Sequence, residues 1–224
     1  MTFSGFPKDT LRFLAGLKKN NDRSWFEAHR EQYEASFVAP AKAFVEAIAP
    51  RLHKIDPGVR AEARVNGSIM RLNRDIRFSK DKTPYKNHMD LWFWCGAAKG
   101  WDTPGFYFRL TSDALMLGTG MHVFTAAGLK LYRAAVLDPK KGAALDKLVE
   151  KMRKAGYEVG SESFKKTPKG VPADHPRAAL LKYGGLHAGW EGKPPRELHT
   201  AAFVDFVAKH FTAVAPVHAW LKAM

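Results

Sequence analysis

The chain holds a single cysteine, Cys95, so an intrachain disulfide and a four-thiolate metal centre are both excluded. No run of about 18 apolar residues occurs, so no membrane-crossing helix is expected. The opening MTFSGFPKDT lacks a basic stretch followed by a long apolar one, and with the lone thiol this reads as a cytoplasmic protein. Nine histidines form no HxxxH pair, no HExxH helix and no compact cluster with carboxylates, so no metal site is expected and no cofactor is indicated. GSI at Gly67 to Ile69 has no flanking glycines of a nucleophile elbow, and Ser79 has no histidine near it in sequence. GTGMHVF, Gly118 to Phe124, lacks the lysine and hydroxyl residue of a triphosphate-binding loop and the third glycine of a dinucleotide fingerprint; a tight turn between a strand and a helix is the better reading, with Arg133 two turns into that helix.

Acidic residues are also scarce, 22 against 36 lysines and arginines, for a net charge of +14. Such an excess is compatible with anionic partners without requiring them, and it is spread along the chain and not gathered in a tail. With 46% hydrophobic residues over 224 positions, the chain can bury a core of its own, and one domain over residues 1–224 is expected.

Leu11, Leu14 and Leu17 recur at helical spacing behind Pro7 and stop at Asn20-Asn21, where a left-handed residue would close the helix. Asp22 suits the cap of a second helix bearing Trp25, Phe26, Tyr33 and Phe37, and Pro40 kinks or restarts it ahead of Phe44, Val45, Ile48 and Leu52. From about Ala63 the pattern becomes short branched and aromatic runs: Val65, Ser68 to Met70, His88 to Cys95, Phe106 to Leu110 and Ala114 to Leu117. Alternation in MDLWFWC puts Met89, Leu91, Phe93 and Cys95 on one face and Asp90, Trp92 and Trp94 on the other, which predicts an aromatic floor. Helical spacing returns at Leu129, Tyr132 and Val136 and at Leu145, Leu148, Val149 and Met152; Gly156 to Pro176 reads as loop, and Leu198, Phe203, Phe206, Val207 and Phe211 mark a last helix ending near Pro216. The class is α+β, a central antiparallel sheet with N-terminal, middle and C-terminal helices packed on it.

The densest chemistry is RLNRDIRFSKDKTPYK, with three arginines, three lysines, two aspartates and a tyrosine between Arg71 and Lys86. Arginine offers a planar fork suited to phosphate or carboxylate, and an interleaved aspartate can hold that fork in one orientation. On this reading Phe78 and Ile76 tuck into the core while Arg71, Arg74, Arg77 and Lys86 bind a small phosphorylated or carboxylated ligand. Asp75 orients them, and Lys82 or Tyr85 moves a proton if there is catalysis. Arg133, with Lys169 and His175 from KKTPKGVPADHP, is the candidate to complete the pocket. The rival readings are an interaction domain, its basic surface meeting an acidic protein, in which an Arg-Asp network only ties a long connection to the sheet, and a single-stranded nucleic-acid module using Trp92, Trp94 and the basic stripe Lys147, Lys151 and Lys154. Glu150, four residues before Lys154, makes that stripe resemble an ordinary solvated face.

RDIRFSKDKTPYK, Arg74 to Lys86, resembles the signature of the family catalogued as domain of unknown function 2461. FLAGLKKNNDRSWFEAHREQY is similar to its N-terminal pattern at Phe13, Leu14, Leu17, Asn20, Asn21, Arg23, Trp25, Phe26, Arg30 and Tyr33, and the later loop matches at Pro168, Lys169, Gly170, His175 and Pro176. The likeness spans about residues 3–183 and implies one intact domain, without an activity or cofactor to carry over.

Overall fold

The computed structural model describes residues 2–96, 100 and 103–224. The fold is α+β, with a six-stranded antiparallel sheet in the order β1-β2-β3-β4-β6-β5. Its strands are β1 Val59–Arg60, β2 Met89–Cys95, β3 Gly105–Leu110, β4 Leu115–Met121, β5 Glu158–Glu162 and β6 Tyr183–Gly192. No helix among the described residues is long and apolar enough to cross a membrane.

Contacts within this fold gather in two compact units. The first comprises Met1–Phe93, Tyr107–Leu117 and Glu191–His210; the second comprises Trp94–Phe106, Gly118–Trp190 and Phe211–Met224.

In the first unit, α1 (Lys8–Lys19) buries Phe13, Leu14 and Leu17, the predicted stripe. Its end is not left-handed: Asn20 has φ −126°, and its side-chain amide donates to the Gly16 carbonyl instead. Asp22 caps α2 (Arg23–Ala28) as expected, accepting from the Trp25 N–H at 2.8 Å. One short turn, α3 (Arg30–Tyr33), and a π turn over Glu34–Val38 then lead into α4 (Ala39–Ile55). Pro40 sits in the first turn of α4, where its missing N–H costs nothing, so the expected restart falls there. Phe3, Phe6, Phe44, Phe108 and Phe203 pack ring against ring at centroid distances of 5.2–6.2 Å and form the centre of this unit.

Val65 and Ser68 to Met70, expected as strands, make only isolated bridges, Val65 to Ile69 and Ile69 to Leu91. The cause is local: Asn66 adopts φ 65° and the chain turns back on itself, with the Asn66 N–H on the Ile69 carbonyl. The predicted aromatic floor is likewise absent, since Trp92 and Trp94 are only 5% and 3% exposed. Apart from Asp90, β2 is buried on both faces, and period-two alternation cannot distinguish a solvated aromatic face from a covered one.

The second unit holds α5 (Ala126–Leu137) and α6 (Pro139–Lys154), capped by Thr125 and Asp138. Tyr132 is the hub: it stacks on Phe124, lies edge-on to Trp220 and donates its hydroxyl to the Leu180 carbonyl at 3.1 Å. Burial pushes the Tyr132 phenol far above its ordinary pKa. Lys147, Lys151 and Lys154 are exposed, and Lys154 pairs with Glu150 at 2.6 Å. Gly118 to Met121 are strand residues of β4, not a turn. β5 falls inside the stretch read as loop, β6 lies where no element was expected, and α8 (Phe203–Lys222) runs through Pro216, because Val214, Val217 and Leu221 continue its buried stripe.

Candidate functional site

The signature lies in the connection between β1 and β2, and that connection is not structureless. Its two ends are zipped together: the Lys86 N–H donates to the Leu72 carbonyl and the Arg74 N–H to the Pro84 carbonyl, each at 2.8 Å, with Asn73 bridged to Tyr85 between them. Lower down, the Met70 N–H meets the Asp90 carbonyl, so the segment runs back along β2. Asn21, at the start of the second helical stretch, grips Tyr85 from both sides, its amide N donating to the Tyr85 carbonyl at 2.9 Å and its amide O accepting from the Tyr85 N–H at 3.0 Å. The Tyr85 ring is buried and stacks on Phe26 at 4.4 Å. Replacing Asn21 with alanine leaves both Tyr85 backbone groups without partners, and should cost about 2 kcal/mol, or roughly 4–8 °C in melting temperature for a chain of this size. An unchanged melting curve would show that water replaces the grip.

Above this zipper the signature's own charges are engaged with one another. Asp75 accepts from Arg77 through Nε at 2.9 Å and Nη2 at 2.7 Å, a two-pronged ion pair. Arg74 donates to Asp81 and to the Thr83 hydroxyl, while Asp81 also accepts from the Thr83 N–H at 2.9 Å. Lys82 donates to the Ile76 carbonyl at 2.9 Å. Hydrogen bonds from Arg77 hold the Asp75 carboxyl down at about 2, and those from the Thr83 N–H and Arg74 do the same for Asp81. Arg71 is exposed and adds its charge to the field at Asp75. Phe78 does not tuck into the core: it stands 95% exposed at the apex, while Ile76 is half-buried.

Charges concentrate differently at the root. Asp90, the one partly open position of β2, accepts from Arg109 of β3 through Nε at 2.6 Å and Nη2 at 3.1 Å, faces His88 Nε2 at 3.1 Å, and has Lys86 Nζ at 3.5 Å. The Asp90 side chain is 16% exposed and those of Lys86 and His88 are 23% and 19%, so this carboxylate and its cations are half withdrawn from water; Arg109, at 43%, forms the open side. Burial by itself would push the Asp90 carboxyl up; hydrogen bonds and charge from His88 and Arg109 outweigh it and hold the group well below the usual carboxylate range. The other ring nitrogen of His88 lies 3.2 Å from the Asn87 side-chain oxygen.

Of the predicted site residues, Lys86 joins this root cluster, Arg74, Asp75, Arg77 and Lys82 brace the loop, and Tyr85 anchors it. Arg133, Lys169 and His175 belong to the second unit. There the Arg133 guanidinium lies over the Phe164 ring at 4.8 Å, His175 accepts the Arg177 N–H at 3.0 Å, and Lys169 is exposed. Sequence reasoning missed Asp90, His88 and Arg109. The HxD spacing of His88, one residue ahead of β2, and Asp90 was the available signal, since residues two apart in extended chain face the same side; Arg109 arrives only with strand pairing. Donor groups of metal-ligand type also meet in the second unit, where Cys95 Sγ and His218 Nε2 lie 3.5 Å apart, both buried.

The pattern of the conserved hypothetical protein family DUF2461 matches residues 9–220. The chain belongs to this family. Membership extends past the likeness visible by eye, since the match takes in β6 and most of α8, beyond residue 183. No curated protein matches the chain.

Proposed function

We propose that this DUF2461 protein is a cytoplasmic binder of a small phosphorylated or carboxylated compound, with Lys86, His88 and Arg109 around Asp90 as the recognition centre. One observation carries the reading: a single withdrawn carboxylate holds three basic side chains, two of them permanent cations, so the cluster keeps an excess of positive charge in a setting where water screens it weakly. Asp90 is the group that orients the Arg109 fork, the role first assigned within the signature to Asp75. Arg109 uses Nε and Nη2 on Asp90, which leaves Nη1 for an incoming oxyanion. The cytoplasmic placement is supported by the single buried thiol, Cys95.

Thermal unfolding in rising inorganic phosphate, and separately in citrate, tests this at constant ionic strength set with chloride. The native chain should gain melting temperature saturably with at least one of them, and Arg109→Ala should lose that gain. No saturable gain with either anion, or an equal gain in Arg109→Ala, rejects the centre.

A further inference from the structure

We infer that the apex of the signature loop is a docking finger for single-stranded nucleic acid, in which the Phe78 ring stacks on a base while Arg77 and Lys80 meet the phosphates on either side. Phe78 has the highest exposure of any large hydrophobic residue described, 95% against 62% for the next, Val123. A phenyl ring left in water forgoes about 2 kcal/mol of burial, which is available to a partner that covers it.

The ring is held there and not merely unfolded. Asp75 accepts from the Arg77 N–H and guanidinium, Asp81 from the Thr83 N–H and hydroxyl, and Lys82 reaches back to the Ile76 carbonyl, so three local clamps close around residues 76–80. This gives the two aspartates a purpose that needs no chemistry: they order the apex before it meets anything, which lowers the entropy lost on binding. Their charges are answered within the loop by Arg77 and Arg74, so they do not set up a field against an anion.

Charge selects the partner. Residues 71–86 carry six basic side chains against two aspartates. Arg77 lies 5.8 Å from the Phe78 ring centroid, its side chain 76% exposed, and Lys80 is exposed with neither ion pair nor hydrogen bond among the described residues. An aromatic face bracketed by cations is the arrangement that takes an unpaired base and its phosphates, and it tolerates any base because every base presents a π face. A lipid surface fits less well, since Arg77, Ser79 and Lys80 flank Phe78 along the chain and, among the described residues, no other large hydrophobic side chain of residues 71–86 is exposed to deepen insertion. Trp92 and Trp94, the aromatic residues that first suggested nucleic acid, are buried and take no part.

The inference uses other residues than the Asp90 cluster, so the two are tested apart. Fluorescence anisotropy with a labelled 12-nucleotide single strand, as RNA and as DNA, should show binding that weakens steeply with salt. Phe78→Ala should melt like the native protein and keep its phosphate response, yet bind the strand roughly 5- to 150-fold more weakly, the value of one stacked base. Phe78→Trp should restore binding, and Lys80→Glu should weaken it and flatten the salt dependence. Native binding equal to that of Phe78→Ala overturns the finger, as does absence of binding to either strand. Phe78-dependent capture by phosphatidylserine vesicles without strand binding would overturn it in favour of a membrane.

Discussion

Asp90→Asn should lower the melting temperature by roughly 6–12 °C, the equivalent of about 3 kcal/mol in a chain of this length. The substitution is nearly isosteric, so no cavity contributes. What it removes is the negative charge under Lys86, His88 and Arg109, leaving side chains only 23%, 19% and 43% exposed to repel one another. For a fully buried pair the loss is about 3–5 kcal/mol, and the access of water to Arg109 puts the expectation at the lower end. Adding Arg109→Gln should recover part of it, because the second change removes one of the stranded cations. Acid provides a separate reading. Folding holds the Asp90 carboxyl below its unfolded value, so its contribution is complete above about pH 4 and is lost as the pH falls from there. The native protein should therefore weaken on acidification below that point more steeply than Asp90→Asn. Equal melting temperatures at neutral pH, or parallel acid curves, would mean that the cluster contributes no net stability.

The cluster also shows what the sequence could and could not reveal. Elements with a strong apolar period, such as α1 through Leu14 and Leu17 or α6 through Leu145, Val149 and Met152, were legible because burial and spacing agree there. β6 was not, because YGGLHAGWEG looks like loop. Its glycines serve close approach instead: a Cβ on Gly185 would lie 2.1 Å from the His122 carbonyl oxygen, so the residues that disguise the strand are the ones that let it pair. Pro216 misled in the other direction, since a buried stripe on both sides of it keeps α8 intact.

Within the site, the signature was visible by composition, but its internal division was not. Six basic residues within sixteen positions suggest convergence, whereas the chain answers Arg77 with Asp75 and Arg74 with Asp81 at short range. The convergence falls on Asp90, where Arg109 comes from 19 residues away and meets it only after β2 and β3 pair. Charge patterns along one segment are read directly; charge patterns across strands need the register. Phe78 was misplaced for a related reason, because nothing in a single phenylalanine says whether its covering surface belongs to the same chain.

Glycine usage supplies the other large effect. Gly120→Ala should destabilise the protein by about 3–5 kcal/mol, a sum of left-handed backbone strain and overpacking, while Gly160→Ala, in strand β5, should be neutral or slightly stabilising. Gly120 lies in β4 at φ 147°, and a Cβ there would sit 2.4 Å from the Leu186 carbonyl oxygen and 2.5 Å from the His187 Cα. Both are backbone atoms of β6, so relief cannot come from a side chain swinging aside; the two strands must part or the hydrogen-bond ladder must break. Around Gly160 nothing lies within 4 Å of the same added carbon, and its φ is ordinary. There the extra methyl only narrows the unfolded ensemble, worth about 0.4–1 kcal/mol in favour of the folded state. Since β6 lies between the strands that carry these two glycines, the pair separates close approach from a general dislike of alanine in the sheet. Calorimetric unfolding of both variants decides it. Equal shifts would mean that the backbone contact at Gly120 is not what fixes that glycine.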